Sequence, residues 1–250
     1  MDATDLLVAA MFFVVAVLYS TVGHAGASGY LAVMGLAGLA PEVMRPTALL
    51  LNIAVASFTT WRFREARFLD LKALAPLVAG SLPCAFIGGT VRLPEPLYQG
   101  IVGAILLAST AVLVWRAYSP RFRGEERQVR MPVVASLALG ASIGLLSGLT
   151  GTGGGIFLSP VILLMGWAGP KATAGIAAPF ILVNSIAGLT GSSLAAHDIP
   201  EAMFAFVGCA LAGAFVGTWL GIRRLPPRAL VLTLALVMAV AGMKLVARAF

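Results

Sequence analysis

The chain has 250 residues, of which 60% are hydrophobic and 11% charged, with a formal net charge of +7 and a mean hydropathy of +0.97. Soluble domains carry about 45–50% apolar and about 25% charged residues, so this balance excludes an ordinary soluble globular protein and predicts a polytopic, all-α membrane protein. Continuous apolar runs such as LLVAAMFFVVAVL at 6–18 do not alternate, which argues against a transmembrane β-barrel.

Taken in chain order, apolar segments fall at about 5–22, 29–40, 46–61, 73–91, 97–115, 133–149, 154–168, 172–192, 202–221 and 229–247. The leading MDATD is acidic, unlike the basic start of a signal peptide. Several segments are shorter than the roughly 20 residues that span a bilayer, and 29–40 is the shortest. Cys84 and Cys209 both lie in apolar runs and read as small packing residues, with no metal site and no cofactor expected.

The ten segments divide into two similar halves within one transmembrane domain: repeat 1 at 1–118, a cytoplasmic linker at 119–131, and repeat 2 at 132–250. LYSTVGHAGASGYL matches LLSGLTGTGGGIF, with Gly23 opposite Gly148 and Gly26 opposite Gly151. PTALLLNIAVAS matches APFILVNSIAGL, with Asn52 opposite Asn184. A third pair of blocks sets Gly80 opposite Gly208 and Pro94 opposite Pro226.

Basic residues then orient the halves. Loop 62–72 carries Arg62, Arg64, Arg67 and Lys72 and is placed inside, as are the linker and the stretch with Arg223, Arg224 and Arg228. The counterpart of loop 62–72, at 193–200, has no Lys or Arg and is placed outside, with His197 and Asp198 solvated there. Equivalent loops on opposite faces are the mark of inverted repeats, a design of secondary transporters. The same basic clusters read as cytoplasmic anchors, so no nucleic-acid partner is expected.

Glycine explains the middle of each half. Gly151, Gly153, Gly154 and Gly155 cluster between two apolar runs, although glycine costs a helix about 1 kcal/mol relative to alanine. A helix broken at mid-membrane presents free N–H groups and a partial positive charge, which attract an anion. Glycine also permits positive φ and close approach of the ligand to the backbone. This predicts an anion site at Gly153, Gly154 and Gly155 with hydroxyl donors from Thr150 and Thr152, the latter also as N-cap of the following helix. Gly26, Ser28 and Gly29 in GASG form the matching half-site. By contrast, Gly140, Gly144 and Gly148, and Gly213, Gly217 and Gly221, recur every four residues and read as packing glycines.

Two readings serve Asn52 and Asn184: hydrogen bonding between helices, or coordination of the ligand by their amides. His24 is the one ionisable residue placed well inside the membrane, a candidate for proton coupling or anion contact. Glu42, Arg45 and Lys171, in matching loops between short segments, read first as interfacial anchors.

The block around GHAGASG, the block GLTGTGGGIFLSPVILLMG after a basic linker and the paired Asn helices resemble the TauE/SafE (sulfite exporter) family, over nearly the whole chain. The resemblance implies transport, often export, of a small inorganic or organic sulfur-containing anion such as sulfite, thiosulfate or an organosulfonate, across a bacterial plasma membrane. An anion channel would use the same helix ends. No Walker A motif and no HExxH occurs, and the apolar segments lack the carboxylates an intramembrane enzyme would use. The oligomeric state is left open.

Overall fold

The computed structural model describes residues 3–39, 41–91, 95–118, 131–192 and 202–249. Linker residues 119–130, His197, Asp198 and Pro94 lie outside the described residues. Ten helices follow one another, with no strand among the described residues: α1 (Ala3–Ser20), α2 (Ala27–Leu36), α3 (Pro41–Glu65), α4 (Leu71–Thr90), α5 (Glu95–Tyr118), α6 (Val133–Thr150), α7 (Gly155–Met165), α8 (Pro170–Gly191), α9 (Met203–Arg223) and α10 (Pro227–Ala249). Helix is the form that satisfies every backbone group within one apolar segment. α3, α4, α6, α8 and α9 are long and apolar enough to cross a membrane. α2 has 10 residues and α7 has 11, or about 15 Å each at 1.5 Å per residue, half of a bilayer core of about 30 Å.

Glycine stripes set which helices touch. A β-carbon built at Gly140, Gly144 or Gly148 of α6 would overlap the carbonyl oxygens of Leu77, Ser81 and Ala85 of α4. At Gly213, Gly217 and Gly221 of α9 it would overlap those of Phe13, Val17 and Thr21, along α1 and just past its end. In both pairs the contacts climb four residues at a time on each partner, so the helices run parallel at backbone contact. All six glycines are therefore packing glycines. Asp70 starts α4 by accepting from the amides of Lys72 and Ala73 at 2.9 and 3.1 Å, the ordinary N-cap.

α8 and α3 form the centre: 72% of the α8 span and 50% of the α3 span are buried, against 28–39% for α4, α6 and α9. They run antiparallel, because Gly175 near the start of α8 abuts Phe68 just beyond α3, while Gly188 near its end abuts Leu49 near the start of α3. α5 and α10 are antiparallel too, with Gly103 against Gly242 and Val246. Packed pairs include α4–α6 and α1–α9, α4–α8 and α3–α9, α2–α3 and α7–α8, α5–α7 and α2–α10. Leu82, Phe86, Ile87, Phe204 and Phe215 stand exposed on the outside, an apolar surface that a bilayer covers.

Candidate anion site at two helix breaks

Both short helices begin after a glycine in the left-handed region. α6 closes with the Gly151 amide donating to the Ser147 carbonyl at 2.8 Å. The chain then turns through Gly151, Gly153 and Gly154 at φ +70°, +76° and +79°, and Gly154 is the N-cap of α7. After α1 it turns through Gly23 and Gly26 at +76° and +108°, and Gly26 is the N-cap of α2. Backbone in this region strains any residue with a β-carbon, so glycine is required here by conformation.

This geometry corrects the expected register. The left-handed pair at 23 and 26 corresponds to the pair at 151 and 154, so Gly23 stands opposite Gly151 and Gly26 opposite Gly154, a shift of three residues. Cap conformation decides the match, and glycines repeated every few residues let the letters align in more than one way. Thr152 is not the N-cap of α7. Its hydroxyl instead pairs with that of Thr150 at 2.8 Å, while Thr150 Oγ1 also donates to the Leu146 carbonyl at 2.7 Å.

Neither N-cap is closed by a side chain. The first amides to find an N-cap carbonyl are Tyr30, to Gly26 at 2.9 Å, and Phe157 and Leu158, to Gly154 at 3.1 Å each. The amides ahead of them, at Ala27 to Gly29 and at Gly155 and Ile156, belong to the leading turn that no carbonyl of the same helix reaches. All five residues are buried. Two buried, uncapped helix N-termini thus offer N–H groups and positive dipole ends inside an apolar bundle.

Side chains from both halves gather at the second break. Asn52 of α3, fully buried, directs Nδ2 at the Thr152 carbonyl (3.4 Å) and at Ser185 Oγ of α8 (3.3 Å). A β-carbon at Gly153 would lie 2.7 Å from that Nδ2 and 2.9 Å from Ser185 Oγ, so glycine is also required here by space. At Gly154 it would meet Ile143 and Phe180, each at 3.0 Å. Asn52 Oδ1 is buried without a hydrogen-bond partner.

His24 joins the first break to α7. Its Nδ1 lies 3.0 Å from the Val22 carbonyl and its Nε2 3.3 Å from Ser159 Oγ, and it is 1% exposed. A carbonyl oxygen only accepts, so Nδ1 carries the hydrogen in that bond, and in the neutral ring Nε2 accepts from the serine. Gly155 is the neighbour on the other side, where a β-carbon would stand 3.1 Å from His24 Cδ2. Ser28 pairs with Tyr19 OH at 2.6 Å, Gly29 lies against Val15 and Tyr19, and Gly26 against the Tyr30 ring. α2 therefore folds back along α1.

Asn184 is not used like Asn52. Its Nδ2 donates to Phe180 one turn back in its own helix at 2.8 Å. The structure thus brings together Asn52, Thr150, Thr152 and Gly153–Gly155 with His24 nearby, and sets Ser28 within the α1–α2 contact. Ser159 and Ser185 were not singled out from sequence. Each is a polar residue inside an apolar run, Ser185 directly after Asn184, and that signal was available. Arg45 is no mere interfacial anchor. Its stem lies against Gly151, and Nη2 donates to the carbonyls of Gly89 (3.1 Å) and Gly148. Among the described residues no three His, Cys, Asp or Glu side chains converge as metal ligands would.

Comparison with known proteins agrees with this architecture. The sequence matches the family described as "Sulfite exporter TauE/SafE" over residues 8–245. The chain belongs to the TauE/SafE family. It is also similar to the "Probable membrane transporter protein y4hK" of Sinorhizobium fredii (strain NBRC 101917 / NGR234), with 36% identity over 245 residues, 98% of this chain and 99% of that protein. No solved structure matches. This TauE/SafE protein is a multi-pass integral membrane protein and a membrane transporter.

Proposed function

We propose that this TauE/SafE protein is a secondary transporter that exports small sulfur oxyanions, such as sulfite, thiosulfate or organosulfonates, and binds them at the N-termini of α2 and α7. The observation that carries this reading is the pair of buried, uncapped helix N-termini, each set by a left-handed glycine. A buried helix end without partners costs several kcal/mol unless something satisfies it. An anion does so with charge-assisted hydrogen bonds. Asn52 Nδ2, Ser185, Thr152 and Ser159 surround the α7 end with small polar groups, which suits an oxyanion, and His24 bridges to the other half as the group able to exchange a proton.

We further infer that the halves, residues 1–118 and 132–250, are inverted repeats. Exchanging them turns each packed pair of helices named above into its partner pair, and the equivalent helices α3 and α8 are antiparallel. Single cysteines at Ala66 and Ala196, in a background without Cys84 and Cys209, then label from opposite membrane faces. Labelling from one face would mean a parallel duplication.

The function itself is tested with purified protein in liposomes offered sulfite, thiosulfate, sulfoacetate, sulfate and chloride, with and without a proton gradient. Saturable, counterflow-capable transport of the sulfur anions in preference to chloride is expected. Single-channel currents would make the protein a channel, and equal handling of every anion would overturn the substrate class.

A further inference from the structure

A buried amide oxygen and a buried hydroxyl at the second break lack a hydrogen-bond partner among the described residues. They are Asn52 Oδ1 and Ser147 Oγ, in side chains 0% and 1% exposed. They flank successive glycines. A β-carbon at Gly153 would stand 2.7 Å from Asn52 Nδ2, and one at Gly154 would stand 3.2 Å from Ser147 Cβ. Ser147 also marks where α6 hands over to the break, since its carbonyl accepts from the Gly151 amide.

The neighbours of the Asn52 amide fix its orientation. The Thr152 carbonyl only accepts, so the amide nitrogen faces it, at 3.4 Å, and the oxygen is left on the other branch of the same carbon. The two unpartnered atoms are chemically unlike. A serine hydroxyl donates or accepts, whereas an amide oxygen only accepts. The N–H groups leading α7 only donate. An anion without hydrogen would therefore satisfy the helix end and Ser147, and would set its own oxygens against Asn52 Oδ1, acceptor against acceptor. A buried polar atom left without its hydrogen bond is costly. A singly charged anion that carries a donor satisfies all three, and one charge costs less to bury than two. Asn184 Oδ1 also lacks a partner among the described residues, but that side chain is not among the nearest neighbours of any glycine in either break.

We propose that this site selects singly charged sulfur oxyanions that carry a hydrogen-bond donor, hydrogensulfite rather than the sulfite dianion, with Asn52 Oδ1 accepting from the donor and Ser147 Oγ donating to an oxygen of the anion. This rests on the reading of the α7 N-terminus as the transport site. The helix end reads the charge, and the asparagine reads the hydrogen. A site built to hydrogen-bond one group of its substrate turns away an analogue that lacks it, because the site's own buried polar atom is then left unpaired. Thiosulfate and sulfate, dianions near neutral pH, are poorer ligands by the same rule.

The test is a titration of purified, full-length, monodisperse protein with methanesulfonate and with sulfamate. Both anions are singly charged and nearly equal in size; the first ends in a methyl group and the second in N–H donors. Wild type should bind sulfamate about tenfold more tightly. Asn52→Leu should bring the two within about twofold of each other, while Asn184→Leu keeps the preference. Ser147→Ala should weaken both about three- to tenfold and leave their ratio unchanged. Hydrogensulfite, the O–H donor, should follow sulfamate in every variant. Equal affinities in wild type, binding of neither anion, or a preference that survives Asn52→Leu overturns the proposal. So does a methanesulfonate affinity that rises when sodium chloride replaces choline chloride, which would assign the amide oxygen to a cation. Should Asn52→Leu not be monodisperse, the wild-type ratio and Ser147→Ala decide. Gly154→Leu separates this selection from the reading beneath it. If it binds both anions like wild type, the break is not the site and that reading falls. If it loses both while wild type shows no preference, the break stands and the selection for a donor falls.

Discussion

In the first break the left-handed glycines stand at 23 and 26 with His24 and Ala25 between them; in the second they stand at 151 and 154 with Thr152 and Gly153 between. The backbone device is the same, and the side chains are not. The first break sends a histidine outward, to Ser159 of α7. The second receives Asn52 from the other half and is lined by Ser185 and the Thr150–Thr152 pair. The breaks thus differ in what they present: one carries a titratable side chain, the other open backbone. The asymmetry extends to the asparagines, since Asn52 reaches the break and Asn184 bonds only its own helix.

The strongest way to break this comparison is Gly154→Leu. The side chain would be strained at φ +79° and crowded by Ile143 and Phe180, and it would fill the space at the α7 N-terminus. Losing one charge-assisted hydrogen bond costs roughly 1.5–3 kcal/mol, so sulfite binding by monodisperse protein should weaken about ten- to a hundredfold. Wild-type affinity would mean that the block is not the site. Gly26→Leu, at the matching cap of α2, should weaken binding less, because the amide of Asn52, Thr152 and Ser185 gather at the second break. Equal losses would make the half-sites equivalent.

A smaller effect separates the asparagines. Asn52→Ala removes the amide that faces the Thr152 carbonyl and Ser185, and should weaken sulfite binding about three- to tenfold, the worth of one hydrogen bond. Asn184→Ala should leave the affinity within about twofold and act only on thermal stability. Equal affinity losses in a titration of both purified variants would restore the two-fold symmetric reading.

His24→Gln keeps a polar group of similar reach and removes the titration. The folded protein should persist, and the pH dependence of transport should flatten between about pH 5 and 8, where histidine changes charge. A proteoliposome pH profile that keeps its wild-type shape would make His24 a packing residue.

Least of all should Gly217→Ala affect function. Its β-carbon overlaps the Val17 carbonyl at the α1–α9 contact, and overpacking of this kind costs roughly 1–3 kcal/mol. The melting temperature should fall while the ranking of sulfite, thiosulfate and chloride stays unchanged. A changed ranking would tie that interface to the site.

The amino-acid sequence by itself determined the class and most of the helices. Apolar runs in a chain with 11% charge have one stable form in lipid, and period-four glycines marked packing faces on α6 and α9, because one face of a helix repeats about every four residues; that α4 and α1 fill those faces came from the structure. The glycine cluster at 151–155 also announced a break, since no packing face uses consecutive glycines. Tertiary structure decided the rest. Which glycine is a cap depends on φ, and φ is invisible in the letters, so Gly26 found its partner at Gly154 only in space. The positions of Arg45, Ser159 and Ser185 were decided the same way: each acts on a segment between 32 and 135 residues distant, through contacts that exist only once α3, α7 and α8 are packed together.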